Sequence, residues 1–76
     1  MTPLRSPLQA QVVECTVAVG DAVRAGDVLL ILEAMKMEHL ITCTGDGIVK
    51  EVRVTVGAQV EAGQVLLVVD TGESEG

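Results

Sequence analysis

Val12–Glu33 reads VVECTVAVGDAVRAGDVLLILE and Val49–Asp70 reads VKEVRVTVGAQVEAGQVLLVVD, an offset of 37 residues. Val12, Glu14, Val17, Val19, Gly20, Val23, Ala25, Gly26, Val28, Leu29 and Leu30 recur at their partner positions, 11 of 22 without a gap. Two Val-rich stretches share some residues by chance, but not both glycines and the Ala-Gly pair in register. The chain therefore contains one supersecondary unit twice.

Each copy has the same grammar. An alternating run opens it, Val13-x-Cys15-x-Val17-x-Val19 in the first and Val52-x-Val54-x-Val56 in the second. Period two predicts a strand with one buried face. Gly20 or Gly57 interrupts the run, a short piece follows around Val23 or Val60, and Ala25-Gly26 or Ala62-Gly63 turns the chain again. The copy ends on a continuous apolar stretch, Val28–Leu32 or Val65–Val69, short enough for a strand. No capping box introduces an apolar stripe at helical spacing. These features predict an all-β sandwich or flattened barrel with internal pseudo-two-fold symmetry, in which two half-domains cover each other's apolar faces.

Composition agrees. Val, Ile and Leu make up 25 of the 76 residues, and Phe, Tyr and Trp are absent. Branched aliphatic side chains suit a pleated, half-buried surface. The length allows one domain, 1–76, with a core expected over about 6–70 and a flexible Gly, Ser, Glu and Thr tail over 71–76 expected to be disordered or a linker stub. The net charge of -6 argues against nucleic acid or an anionic membrane as partner and fits a domain that stays monomeric. Cys15, Cys43 and His39 do not form the paired ligand spacing of a zinc site, so no metal is expected. Both cysteines are read as reduced and packed as small hydrophobes. Met1–Gln11 has no apolar run to make a signal peptide, and no stretch approaches a transmembrane length.

Between the copies lie Ala34–Gly47. Strands are expected over Val28–Glu33 and Glu38–Thr42, which leaves the turn to Ala34-Met35-Lys36-Met37. Tight hairpins favour Asn-Gly or Asp-Gly, because their central positions need positive φ. Here two methionines and a lysine stand where glycine would be comfortable. A local rule broken without structural gain points to function. Position 36 plus 37 is 73, beyond the second copy, so the symmetry maps this tip onto the chain ends. The ends are then expected at the edge opposite Lys36.

Glu33-Ala34-Met35-Lys36-Met37, set at the centre of this repeat, resembles the biotin attachment motif of biotinyl domains, as in biotin carboxyl carrier proteins. The frames Val17–Gly26 and Val54–Gly63 share the likeness, which covers Ser6 to Asp70. It implies a flattened barrel of two four-stranded antiparallel sheets. Lys36 would take biotin through an amide bond made by a separate biotin protein ligase. A biotin carboxylase, using ATP and bicarbonate, and a carboxyltransferase acting on an acyl-CoA or pyruvate would be the further partners, and the domain itself would catalyse nothing. Met35 and Met37 resemble the methionines that present the site to the ligase, and Ala34 and Glu33 complete the motif it reads. Glu33 and Glu38 are also read as keeping the strand ends soluble. With neither a signal peptide nor a transmembrane stretch read in the residues, the expected location is the cytoplasm, or the mitochondrial matrix if the domain is excised from a eukaryotic carboxylase.

Two departures stand out. Where the family usually shows Ala-Pro-Met-Pro-Gly, this chain has Ser6-Pro7-Leu8-Gln9-Ala10, which puts the first turn in doubt, while Gly47 keeps the glycine in the second copy. The ungapped repeat also leaves no room for the protruding thumb loop of some carriers. Lipoyl domains share the fold but usually flank their lysine with Asp and Ala, unlike Met35 and Met37. A non-carrier interaction module with an unmodified Lys36 is the other alternative.

Overall fold

A computed structural model describes residues 1–72; residues 73–76, most of the expected tail, lie outside the described part. Eight strands follow in order: β1 (Thr2–Arg5), β2 (Ala10–Cys15), β3 (Ala22–Val23), β4 (Val28–Ala34), β5 (Met37–Thr42), β6 (Gly47–Val52), β7 (Gln59–Val60) and β8 (Val65–Asp70). They form two four-stranded antiparallel sheets, sheet 1 in the order β1-β8-β6-β3 and sheet 2 in the order β5-β4-β2-β7. Adding 37 carries β1–β4 onto β5–β8 and turns the order of sheet 1 into that of sheet 2.

The symmetry reaches the loops. Gly20 N donates to Val49 O at 2.8 Å, as Gly57 N does to Val12 O at 2.7 Å. Gly26 N donates to Cys43 O and Gly63 N to Ser6 O, both at 2.8 Å. Gly20 and Gly57 hold φ of +97° and +94°, values only glycine adopts at little cost. Ser6 and Cys43 are buried counterparts: the Ser6 hydroxyl donates to Leu8 O, and the Cys43 thiol donates to Gly45 O at 2.9 Å. Both cysteines are free.

The core lies between the sheets. Val12, Leu29, Leu30, Leu32, Val49, Val60, Leu66 and Leu67 are wholly buried, most of them as symmetry pairs. Leu29 and Leu30 are neighbours, yet both point inwards. The β4–β5 register shifts between Val28 and Leu30, so the bulge turns both leucines to the core.

Four expectations need correction. The copies do not stack half on half. Each sheet takes two strands from each copy, because β1 pairs with β8 and β2 with β7 across the repeat. The alternating run does not stay buried to its end. The β2–β4 register slips between Val12 and Glu14, so Val12 is buried and Val13 is exposed, and Val19 is exposed in the turn beyond the strand. Expected at Ser6, the fold begins instead with β1, which buries Leu4 and places Pro3 on an edge strand, where its missing N–H costs nothing. Thr71, assigned to the tail, is half-buried with its Oγ1 3.5 Å from Thr2 Oγ1. The doubt raised by Ala10 is removed: it is buried, opens β2 and pairs with Val60. The β2–β3 connection, residues 16–21, matches the β6–β7 connection, residues 53–58, in length.

Candidate functional site

Strands β4 and β5 form a hairpin in which Leu32 pairs with His39, Glu33 with Glu38 and Ala34 with Met37. Only Met35 and Lys36 remain in the loop. Their φ values are +54° and +64°. Positive φ at both central residues is the signature of the type I′ turn, whose twist matches that of the flanking strands. For residues with a Cβ this conformation costs about 1–2 kcal/mol each. The ladder of β4 on β5 and β2 imposes it, with Ala34 half-buried against the core at the hairpin's base.

The turn is held open to solvent. Met35 is 91% exposed and Met37 62%, and Lys36 is exposed between them. Among the described residues the one salt bridge is Arg53–Glu51 at 2.7 Å, so Lys36 is engaged by no carboxylate. A long, unbranched amine at an exposed tip can take an acyl group without disturbing the fold. Lys50, the other lysine, is exposed within β6 and lacks a turn to project it.

The tip lies at one end of the sandwich. Strand β1 starts at Thr2 beside Val69 and ends at Arg5 beside Val65. Residues 6–9 then cross to sheet 2, where Gln11 of β2 pairs with Glu33, just before the turn. Thr2 and Thr71 therefore sit at the end opposite Lys36, as the symmetry requires. All five residues of the sequence motif are contiguous on this one hairpin. Leu40 was not singled out by the sequence, yet it is 55% exposed on β5. Neighbours along a strand alternate faces, so buried Ile41 puts Leu40 on the outer face once the side taken by Ile41 is known.

The strain makes a prediction. Met35→Gly relieves the left-handed conformation and gives up part of the gain to chain entropy, so stability should rise by about 0.5–1 kcal/mol. A thermal melt checks this. An unchanged or lower melting temperature would mean that the turn is not strained at Met35.

Comparison with known proteins places this geometry in a family. Residues 2–69 match the biotin-requiring enzyme family, and the chain belongs to it. It is 48% identical over 44 residues to the biotin-dependent acyl-coenzyme A carboxylase alpha3 subunit of Mycobacterium leprae, a match covering 58% of this chain and 7% of that subunit. A solved single-chain, multi-domain long-chain acyl-CoA carboxylase superposes with a TM-score of 0.83 at 39% identity, over 88% of this chain and 7% of that one. The urea carboxylase of Kluyveromyces lactis gives 0.82 at 37% identity, over 90% of this chain and 6% of the enzyme. The chain thus spans a small fraction of the length of these relatives.

Proposed function

We propose that this domain is a non-catalytic carboxyl carrier of a biotin-dependent carboxylase, with biotin carried on Lys36. The exposed, uncomplexed Lys36 at a strained hairpin tip, opposite Thr2 and Thr71, is the observation that carries this reading. A biotin protein ligase joins the Lys36 Nζ to the cofactor's carboxyl as an amide. The Nζ lone pair displaces the leaving group of the ATP-activated carboxyl and a proton departs from the nitrogen, so the site ends as an uncharged amide. The arm can then enter a catalytic pocket without desolvating an ammonium. Biotin supplies a ureido nitrogen that accepts and releases a carboxyl group. The protein supplies reach and presentation. The hairpin fixes the root of the arm, and the lysine side chain gives it a swinging radius. Tethering raises the effective concentration of the cofactor at a biotin carboxylase and at a carboxyltransferase, which passes the carboxyl group to an acyl-CoA or pyruvate. Met35 and Met37, flexible and exposed, offer the ligase an adaptable contact beside Ala34 and Glu33.

Incubation with a biotin protein ligase, ATP and biotin tests this directly. Intact-mass spectrometry should show one added biotin, and peptide mapping should place it on Lys36. No addition, or label on Lys50, would overturn the carrier reading.

A further inference from the structure

The two outer faces of the sandwich come from equivalent strands but carry different chemistry. On sheet 2, Glu14 pairs with Ile31 and Ile31 with Leu40, while Glu38 sits directly opposite Glu33 in the next row. Leu40 is 55% exposed beside half-buried Ile31, and all three glutamates are exposed. The strands of sheet 2 hold no Lys or Arg. On sheet 1 the position equivalent to Leu40 is Pro3, β1 and β6 carry Arg5 and Lys50, and Glu51 is paired with Arg53. The fold therefore tolerates cations and tolerates the absence of an exposed leucine at these positions. Sheet 2 keeps an apolar centre with an acidic surround.

That arrangement has a cost inside the isolated domain. Like charges directly opposite across two strands destabilise the pair, and among the described residues no cation of this chain forms an ion pair with Glu33 or Glu38. A partner that brings basic residues around an apolar hollow would relieve the repulsion and cover Leu40 together. The face also includes the two strands that carry Lys36, so a partner seated there has the arm at its edge. An active site that takes ATP and bicarbonate handles anions and gains from a positively charged approach.

We propose that the outer face of sheet 2 is the surface by which the domain docks on a biotin carboxylase. Leu40 and Ile31 fill an apolar hollow, and Glu14, Glu33 and Glu38 meet a rim of Lys and Arg. This rests on the carrier reading of Lys36.

Three variants test it: Glu14→Lys, Leu40→Ser and the symmetry-matched control Glu51→Lys. All three positions are exposed, and circular dichroism melts check that each variant folds. Intact mass first establishes biotin on Lys36. ADP release by a biotin carboxylase with ATP and bicarbonate then gives the KM for each biotinylated domain. A binding titration of the same substitutions on a Lys36→Arg background gives the dissociation constant without the cofactor. Glu14→Lys and Leu40→Ser should raise both constants about three- to tenfold at low salt, and the effect of Glu14→Lys should shrink at high salt. Glu51→Lys should leave both unchanged. Equal effects of Glu14→Lys and Glu51→Lys, or effects confined to the ligase or the carboxyltransferase, would overturn the docking surface alone. Absence of biotin on Lys36 would overturn the carrier reading and the docking surface with it.

Discussion

Lys36→Arg should abolish biotin incorporation and leave the fold intact. The guanidinium stays protonated at any accessible pH, so it has no free lone pair to offer an activated carboxyl. The loss is therefore expected to be complete within the detection of mass spectrometry. Arginine keeps length and charge at a solvent-exposed position without an ion pair, so stability should stay within about 0.5 kcal/mol. For a domain of this size that is a shift of roughly 2–4 °C in melting temperature. A calorimetric scan beside the mass spectrum separates the two effects. A large fall in melting temperature would make Lys36 a structural residue, and residual biotin on the variant would move the attachment site elsewhere.

The second large effect is expected far from the tip. Gly47 opens β6, which lies between β8 and β3 in sheet 1. A Cβ at this position would stand 2.3 Å from Asp70 O and 2.9 Å from both Asp70 C and Thr71 Cα. These are backbone atoms, so no side chain can swing aside. Relief requires β6 to part from the end of β8. Gly47→Ala should therefore cost about 2–3 kcal/mol, lowering the melting temperature by roughly 10–20 °C. That is a large part of the roughly 4–11 kcal/mol available to a domain of this length. Its counterpart Ala10 carries a Cβ already and is buried where β2 opens. Ala10→Gly should cost only about 0.5–1 kcal/mol. A Gly47→Ala domain as stable as the parent would show that the end of β8 is free to move.

Much of this was legible in the residues. Repeated valines and glycines marked three strands of each copy and the pseudo-symmetry, because a glycine at positive φ and an inward valine leave a spacing that survives duplication. The motif around Lys36 and the lack of glycine in its turn marked the tip. Other features depend on information that period-two patterning does not hold. Alternation tells which face a side chain takes, not which strand lies beside it, so the exchange of strands between copies was not visible. The bulge at Val13 shifts the alternation by one residue, which is why Val13 was assigned to the buried face, and Val19 was assigned there because the alternating run reads on past the end of β2 into the turn. Strand β1 was missed because Pro3 reads as a breaker unless the strand is known to lie at an edge. Leu40 looked like any other apolar strand residue until the hairpin register fixed its side.

The interleaving of the two copies also sets the order in which the domain can be made. Strand β2 meets its own-copy neighbour β4 early, but its other neighbour, β7, lies almost 50 residues further on, and β1 has no partner until β8 exists. Distant pairings of this kind are slow to form. A nascent chain emerging from the ribosome cannot bury Leu4, Val12 or Leu32 until nearly the whole domain has been synthesised. Lys36 leaves the ribosome well before β8, on a hairpin whose ladder is incomplete. A ligase that recognises the strained turn rather than the linear motif would wait for the last strand, so the cofactor would be attached only to finished molecules.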